Sequence, residues 1–130
     1  MTETWDDERG MPALNDKTKQ PEIQTALDEL VLGWPHVASG TMFGSRSYRA
    51  KGVLFAMIGG EGLILTKLKD EQRQIAAEEN NAHAFVGRGK TVPAWTEFAL
   101  EGAAGLATVA PLVREAYQNA LAAADSPVDN

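Results

Sequence analysis

The sequence has no cysteine, only two histidines, and no apolar run near the ~18 residues that a membrane helix requires. Without cysteine there are no disulfides, thiolate metal sites, iron–sulfur clusters or cysteine nucleophiles. An excess of positive charge is also missing: 12 basic residues stand against 18 acidic ones, a net charge of -6. The whole molecule is therefore set against nucleic acid and anionic lipid as partners. The opening residues MTETWDDERG are acidic where a secretory signal would be basic and then apolar, so a cytoplasmic location with no membrane contact is expected. What is present is 44% apolar residues in 130, enough for one modest core and one domain. The charge is unevenly spread, since the stretch from Arg46 to Lys90 carries eight basic and five acidic residues. A mixed solvated surface accounts for this better than a basic patch does.

Residues 1–19 lack apolar periodicity and read as a mobile acidic arm in which Trp5 is the one large apolar group. From Pro21 onward Ile23, Ala26, Leu27, Leu30, Val31 and Trp34 recur at helical spacing, with Gly33 and Pro35 as the stop. Three strand-like runs follow, Thr41–Arg49, Val53–Ile58 and Leu63–Lys67, separated by glycine-containing turns. The middle run is apolar at every position, which predicts a central strand covered on both faces. A short surface helix is predicted over Asp70–Asn80, then strands over 84–87 and 92–100 joined at Arg88-Gly89-Lys90. The last helix is placed over about Thr108–Ala123, with Thr108 as N-cap so that Pro111 falls in the first turn. The predicted order is α-β-β-β-α-β-β-α over 20–124, with a frayed tail at 125–130.

No catalytic constellation emerges. Gly89-Lys90-Thr91 ends like a phosphate-binding loop, but Ala84 stands where the motif needs glycine and Val92-Pro93 follows where it needs a helix. His36 and His83 have no His, Asp or Glu at metal-ligand spacing in the sequence, so no metal and no cofactor are expected. No serine lies in a Gly-x-Ser-x-Gly elbow. Glu97 falls in a predicted strand beside Trp95 on one face and reads as a charge protecting a sheet edge. Arg46, Tyr48, Lys67, Arg88 and Lys90 are the candidate ligand-binding residues, with the capacity to orient a small anionic group in a cleft between sheet and helices. Strand alternation sets Arg46 with Tyr48 on one face and Arg49 with Lys51 on the other.

Met42-Phe43-Gly44, Tyr48, Gly52, Phe55-Ala56, the Leu63–Lys67 strand, Phe85 and the Gly89-Lys90 turn together resemble the N-terminal domain of the TfoX/Sxy competence regulators and their stand-alone bacterial relatives. Trp95 after a Gly-Lys turn is also similar to the MmcQ/YjbR family. The resemblance spans about residues 22–122 and contains no catalytic motif. It implies an α+β fold of two layers, an antiparallel sheet with helices like that of the type III secretion chaperones, often dimeric and without enzymatic activity. Ser45 stands where the family often has a second glycine. The expectation is a stand-alone, non-enzymatic interaction or regulatory module, a homodimer through sheet surface or edge with a possible protein partner. The alternative is a binder of a small anionic ligand.

Overall fold

A computed structural model describes residues 20–125. The arm expected over 1–19 and all but the first residue of the expected tail lie outside the described residues. The elements are α1 (Gln20–Val31), β1 (Val37–Met42), β2 (Ser45–Ala50), β3 (Val53–Ile58), β4 (Gly62–Leu65), α2 (Asp70–Asn80), β5 (His83–Gly87), β6 (Lys90–Ala99) and α3 (Ala103–Ala124). They form an α+β fold around one antiparallel six-stranded sheet in the order β1-β2-β3-β4-β6-β5. Among the described residues no helix is long and apolar enough to cross a membrane.

There is one strand more than the sequence order predicts, because Thr41–Arg49 is a hairpin rather than a single strand. The chain reverses at Phe43-Gly44, whose φ angles are 55° and 76°, so that Met42 pairs with Ser45. Two left-handed residues in succession give the turn whose twist matches the flanking strands. Lys51-Gly52 and Arg88-Gly89 make the same turn. In all three the first position holds Phe, Lys or Arg instead of the usual Asn or Asp, and that disguises the first hairpin as continuous strand.

The main core lies between the sheet and the pair α1 and α3. Ile23, Leu27 and Val31 recur at one helical turn along α1 and are fully buried against Leu106, Val109, Val113 and Tyr117 of α3 and against Phe55, Ile58, Leu63, Leu65 and Phe98 of the sheet. Trp34, just past α1, rests on Tyr117 with ring centroids 4.8 Å apart, and the Tyr117 hydroxyl donates to the Pro35 carbonyl at 2.9 Å. A bulge lets β3 contribute more than alternation allows. Tyr48 faces Ala56 while Arg49 faces Leu54, so Phe55 is an extra residue, and both Phe55 and Ala56 join the helix-side core.

α3 starts at Ala103, ahead of the expected Thr108, and carries Pro111 in its interior. Its cap comes from another element: Glu22 of α1 accepts the Ala103 N–H through Oε2 at 3.0 Å, placing a carboxylate at the helix N-terminus. A Cβ on Gly102 would stand 2.9 Å from that oxygen. Pro111 leaves the Ala107 carbonyl without its helical partner, and both residues lie on the exposed side of the helix. α2 has the predicted bounds but buries only Ala76. Polar bonds hold it instead: Gln72 accepts from the Lys69 N–H at 2.8 Å and from Asn119 of α3 at 2.9 Å.

The opposite face of the sheet is covered by its own chain. At one point in the last hairpin Ala84 faces Thr96, and at the next Phe85 faces Val92, so Pro93, Ala94 and Trp95 are additional residues in β6. At this bend Phe85 and Trp95, centroids 5.7 Å apart, pack with Val92 and Met42 over Met57 and Ile64, which are fully buried. The second face of the central strand is therefore covered at Met57 and Ile64 by the chain itself, where a dimer through the sheet surface was one expectation.

Candidate functional site

The five ligand-binding candidates from the sequence do not converge. Arg46 and Tyr48 share the helix-side face of β2, as alternation predicts, and both are engaged by Asp28 of α1. Arg46 Nε and Nη2 donate to the two Asp28 oxygens at 3.0 and 3.2 Å, and the Tyr48 hydroxyl donates to Oδ1 at 2.6 Å. Tyr48 is fully buried, and burial followed by the Asp28 hydrogen bond pushes its phenol well above the ordinary tyrosine range. Arg46 is shifted upward in turn by its bond to Asp28. This cluster is closed, and it ties α1 to the sheet. Lys67 is half-buried beyond β4, where its carbonyl accepts from Asn119 at 2.7 Å. Arg88 and Lys90 are exposed at the tip of the last hairpin, and β6 is separated from β2 by β3 and β4.

A different set of side chains does converge. His83 opens β5 and lies directly across from Glu97 of β6, while Glu61 approaches from the glycine-rich β3–β4 loop. His83 Nε2 is 3.6 Å from Glu61 Oε1 and 3.7 Å from Glu97 Oε1. The second oxygen of Glu97 accepts the Glu61 backbone N–H at 3.3 Å. Glu97 is 6% exposed on an internal strand, which corrects the expected edge-strand charge; β5 is the edge. Burial pushes its carboxyl upward from the ordinary range, with the charge of Glu61 adding to the rise and the Glu61 N–H and His83 opposing it. Room for the carboxylate depends on Gly59, where a Cβ would lie 2.9 Å from Glu97 Oε2.

The bend in β6 creates this meeting. Continued from the Arg88-Gly89 turn without interruption, the register would set Ala94 opposite His83; the three additional residues bring Glu97 there instead. Separations of this kind are invisible to a search for ligand spacing along the chain, and the available signal was Pro93, which cannot donate to a ladder and so marks irregular pairing. Beside His83 a cleft of about 270 Å³ opens between α2 and the last hairpin, lined by Arg73, Gln74, Ala77, Ala82, Ala84, Pro93 and Thr96. None of the five predicted ligand residues lines it. Arg73 there already donates to the Leu68 carbonyl at 2.6 Å and pairs with Asp70.

The outer side of β1 is the other surface feature of note. β1 has the sequence Val-Ala-Ser-Gly-Thr-Met, is the outermost strand, and among the described residues pairs only with β2. No protein-family model matches the chain, and no curated protein or solved structure matches it either.

Proposed function

We propose that the chain is a non-enzymatic interaction or regulatory module, of the kind the resemblance to TfoX N-terminal domains implies, that assembles as a homodimer through edge β1. The observation that carries this reading is the character of that edge. Six residues long, it contains no charge and no proline, the devices by which sheet edges ordinarily discourage pairing. Phe43, 51% exposed at the adjoining turn, extends it with an apolar side chain. A second copy laid antiparallel about a two-fold axis pairs with the outward backbone groups that no strand among the described residues takes up. Since Met57 and Ile64 are covered within the chain, the edge replaces the sheet face as the proposed contact.

Light scattering at micromolar concentration tests this. The expected species is twice the 14.0 kDa chain mass. The double variant Ser39→Lys with Thr41→Lys, both exposed positions, sets like charges across the two-fold and is expected to yield monomer with an unchanged circular dichroism spectrum. A wild-type monomer at all accessible concentrations overturns the reading.

The cleft beside His83 favours a second reading, the binding of a small anion between sheet and helix, because Arg73 and His83 both line it. A rise in melting temperature with phosphate or a dicarboxylate, abolished by Arg73→Gln, is the expected result for that function.

A further inference from the structure

We propose that Glu61, His83 and Glu97 form a binding site for a divalent cation of the zinc type, a property independent of the dimer. Their ligand atoms all lie within 4.8 Å of one another. The two separations from His83 Nε2, 3.6 and 3.7 Å, exceed the ~3.2 Å limit of a good N–H···O hydrogen bond. They fit a shared ion instead: two ligands each ~2.0–2.1 Å from zinc at a tetrahedral angle stand about 3.4 Å apart. Small side-chain adjustments therefore suffice to close a three-ligand set, with the fourth position left to solvent, the arrangement of open zinc sites.

The surroundings point the same way. The Glu97 side chain is 8% exposed, among the described residues it has no lysine or arginine partner, and its Oε1 meets only His83 Nε2, at 3.7 Å, longer than a hydrogen bond. A buried carboxylate held by one 3.3 Å hydrogen bond and one long contact to an imidazole is costly, and a bound cation compensates it directly. The Glu61 N–H fixes the other oxygen, as outer-sphere hydrogen bonds fix metal-binding carboxylates. His83 and Glu61, about half exposed, leave the ion a route from solvent. One imidazole with two carboxylates selects zinc and its neighbours over calcium and magnesium, which prefer oxygen alone.

Zinc titration of chelator-treated full-length protein, followed by calorimetry and by melting temperature, provides the test. One zinc per chain and a raised melting temperature are expected, with no response to magnesium or calcium at the same concentration. His83→Ala and Glu61→Gln, at exposed positions, are expected to weaken zinc binding by about tenfold or more, and Glu97→Gln likewise. His36→Ala is expected to bind as the wild type does. Absence of stoichiometric zinc uptake by the wild type overturns the proposal, as does unchanged affinity in His83→Ala or loss of affinity in His36→Ala. None of these outcomes depends on the oligomeric state, so this site and edge β1 stand or fall separately.

Discussion

Two carboxylates sit at the sheet in opposite condition. Asp28 accepts three hydrogen bonds at 2.6–3.2 Å from Arg46 and Tyr48, so its charge is balanced within the fold. Glu97 is more deeply buried, yet it accepts one bond at 3.3 Å and faces a histidine that stands too far off to donate. A charge-balanced cluster holds a structure together and has little left to offer a ligand. A cluster of two carboxylates and one imidazole joined by contacts of 3.6 and 3.7 Å, longer than hydrogen bonds, costs the fold something and retains the capacity to bind. The five side chains singled out in the sequence were chosen by type, and type does not separate these conditions; partnership does.

Substitutions at the two carboxylates sharpen the contrast, since they are expected to differ in sign. Asp28→Ala strands a partly buried guanidinium and a buried phenol, and is expected to lower stability by about 3 kcal/mol in a denaturant titration. A change below ~0.5 kcal/mol, the range of ordinary surface substitutions, would show that the cluster adds nothing to stability.

Tyr48→Phe removes one member of the same cluster and is expected to cost about 1–2 kcal/mol at neutral pH. Its pH dependence is more specific. The folded phenol ionises well above its ordinary value, so the unfolded chain loses its proton first as pH rises. The contribution of Tyr48 is thus whole below pH ~10 and falls above it by up to ~1.4 kcal/mol per pH unit. Stability of Tyr48→Phe is expected to decline less steeply than that of the wild type above pH ~10.

Glu97→Gln goes the other way. It removes a buried charge while retaining an oxygen for the Glu61 N–H, and in metal-free buffer at neutral pH it is expected to leave stability unchanged or raise it by up to about 1 kcal/mol. A loss as large as that of Asp28→Ala would mean that Glu97 is as well partnered as Asp28.

The smallest effect is expected at Ser47. Its hydroxyl is fully buried and has no hydrogen-bond partner, on the same face of the sheet as Met57. Ser47→Ala is expected to be neutral or stabilising by less than ~1 kcal/mol, because the group lost is already desolvated and unsatisfied.

What could be read in the sequence is what neighbouring residues decide. The stripe Ile23-Leu27-Val31 and the bounds of α2 depend on side chains within a few positions, and both were legible. The start of α3 was not, because its cap is the carboxylate of Glu22, distant in the chain. The hairpin at Phe43-Gly44 was hidden since Ser45–Ala50 continues the strand character of Thr41 and Met42 across it. For the metal cluster, the decisive event is a three-residue slip in pairing at 93–95. Its residues were each visible, and Glu97 was even singled out, but its partner was set by a register that only the folded sheet reveals.

The strand order also sorts the molecule in time. β1 to β4 form a meander in which each strand pairs with the next in sequence, three of the contacts closing over turns that are short and local. Such pairings form on the microsecond scale. β6 reaches β4 only by carrying β5 outward past it, after the chain has passed through α2. Because loop closure precedes the contacts that reward it, this docking belongs late in folding. Glu97 comes from the strand that docks and Glu61 from the meander that receives it. A cation held between them would act as a latch on the final step, slowing unfolding of the completed sheet without hastening the formation of its first four strands.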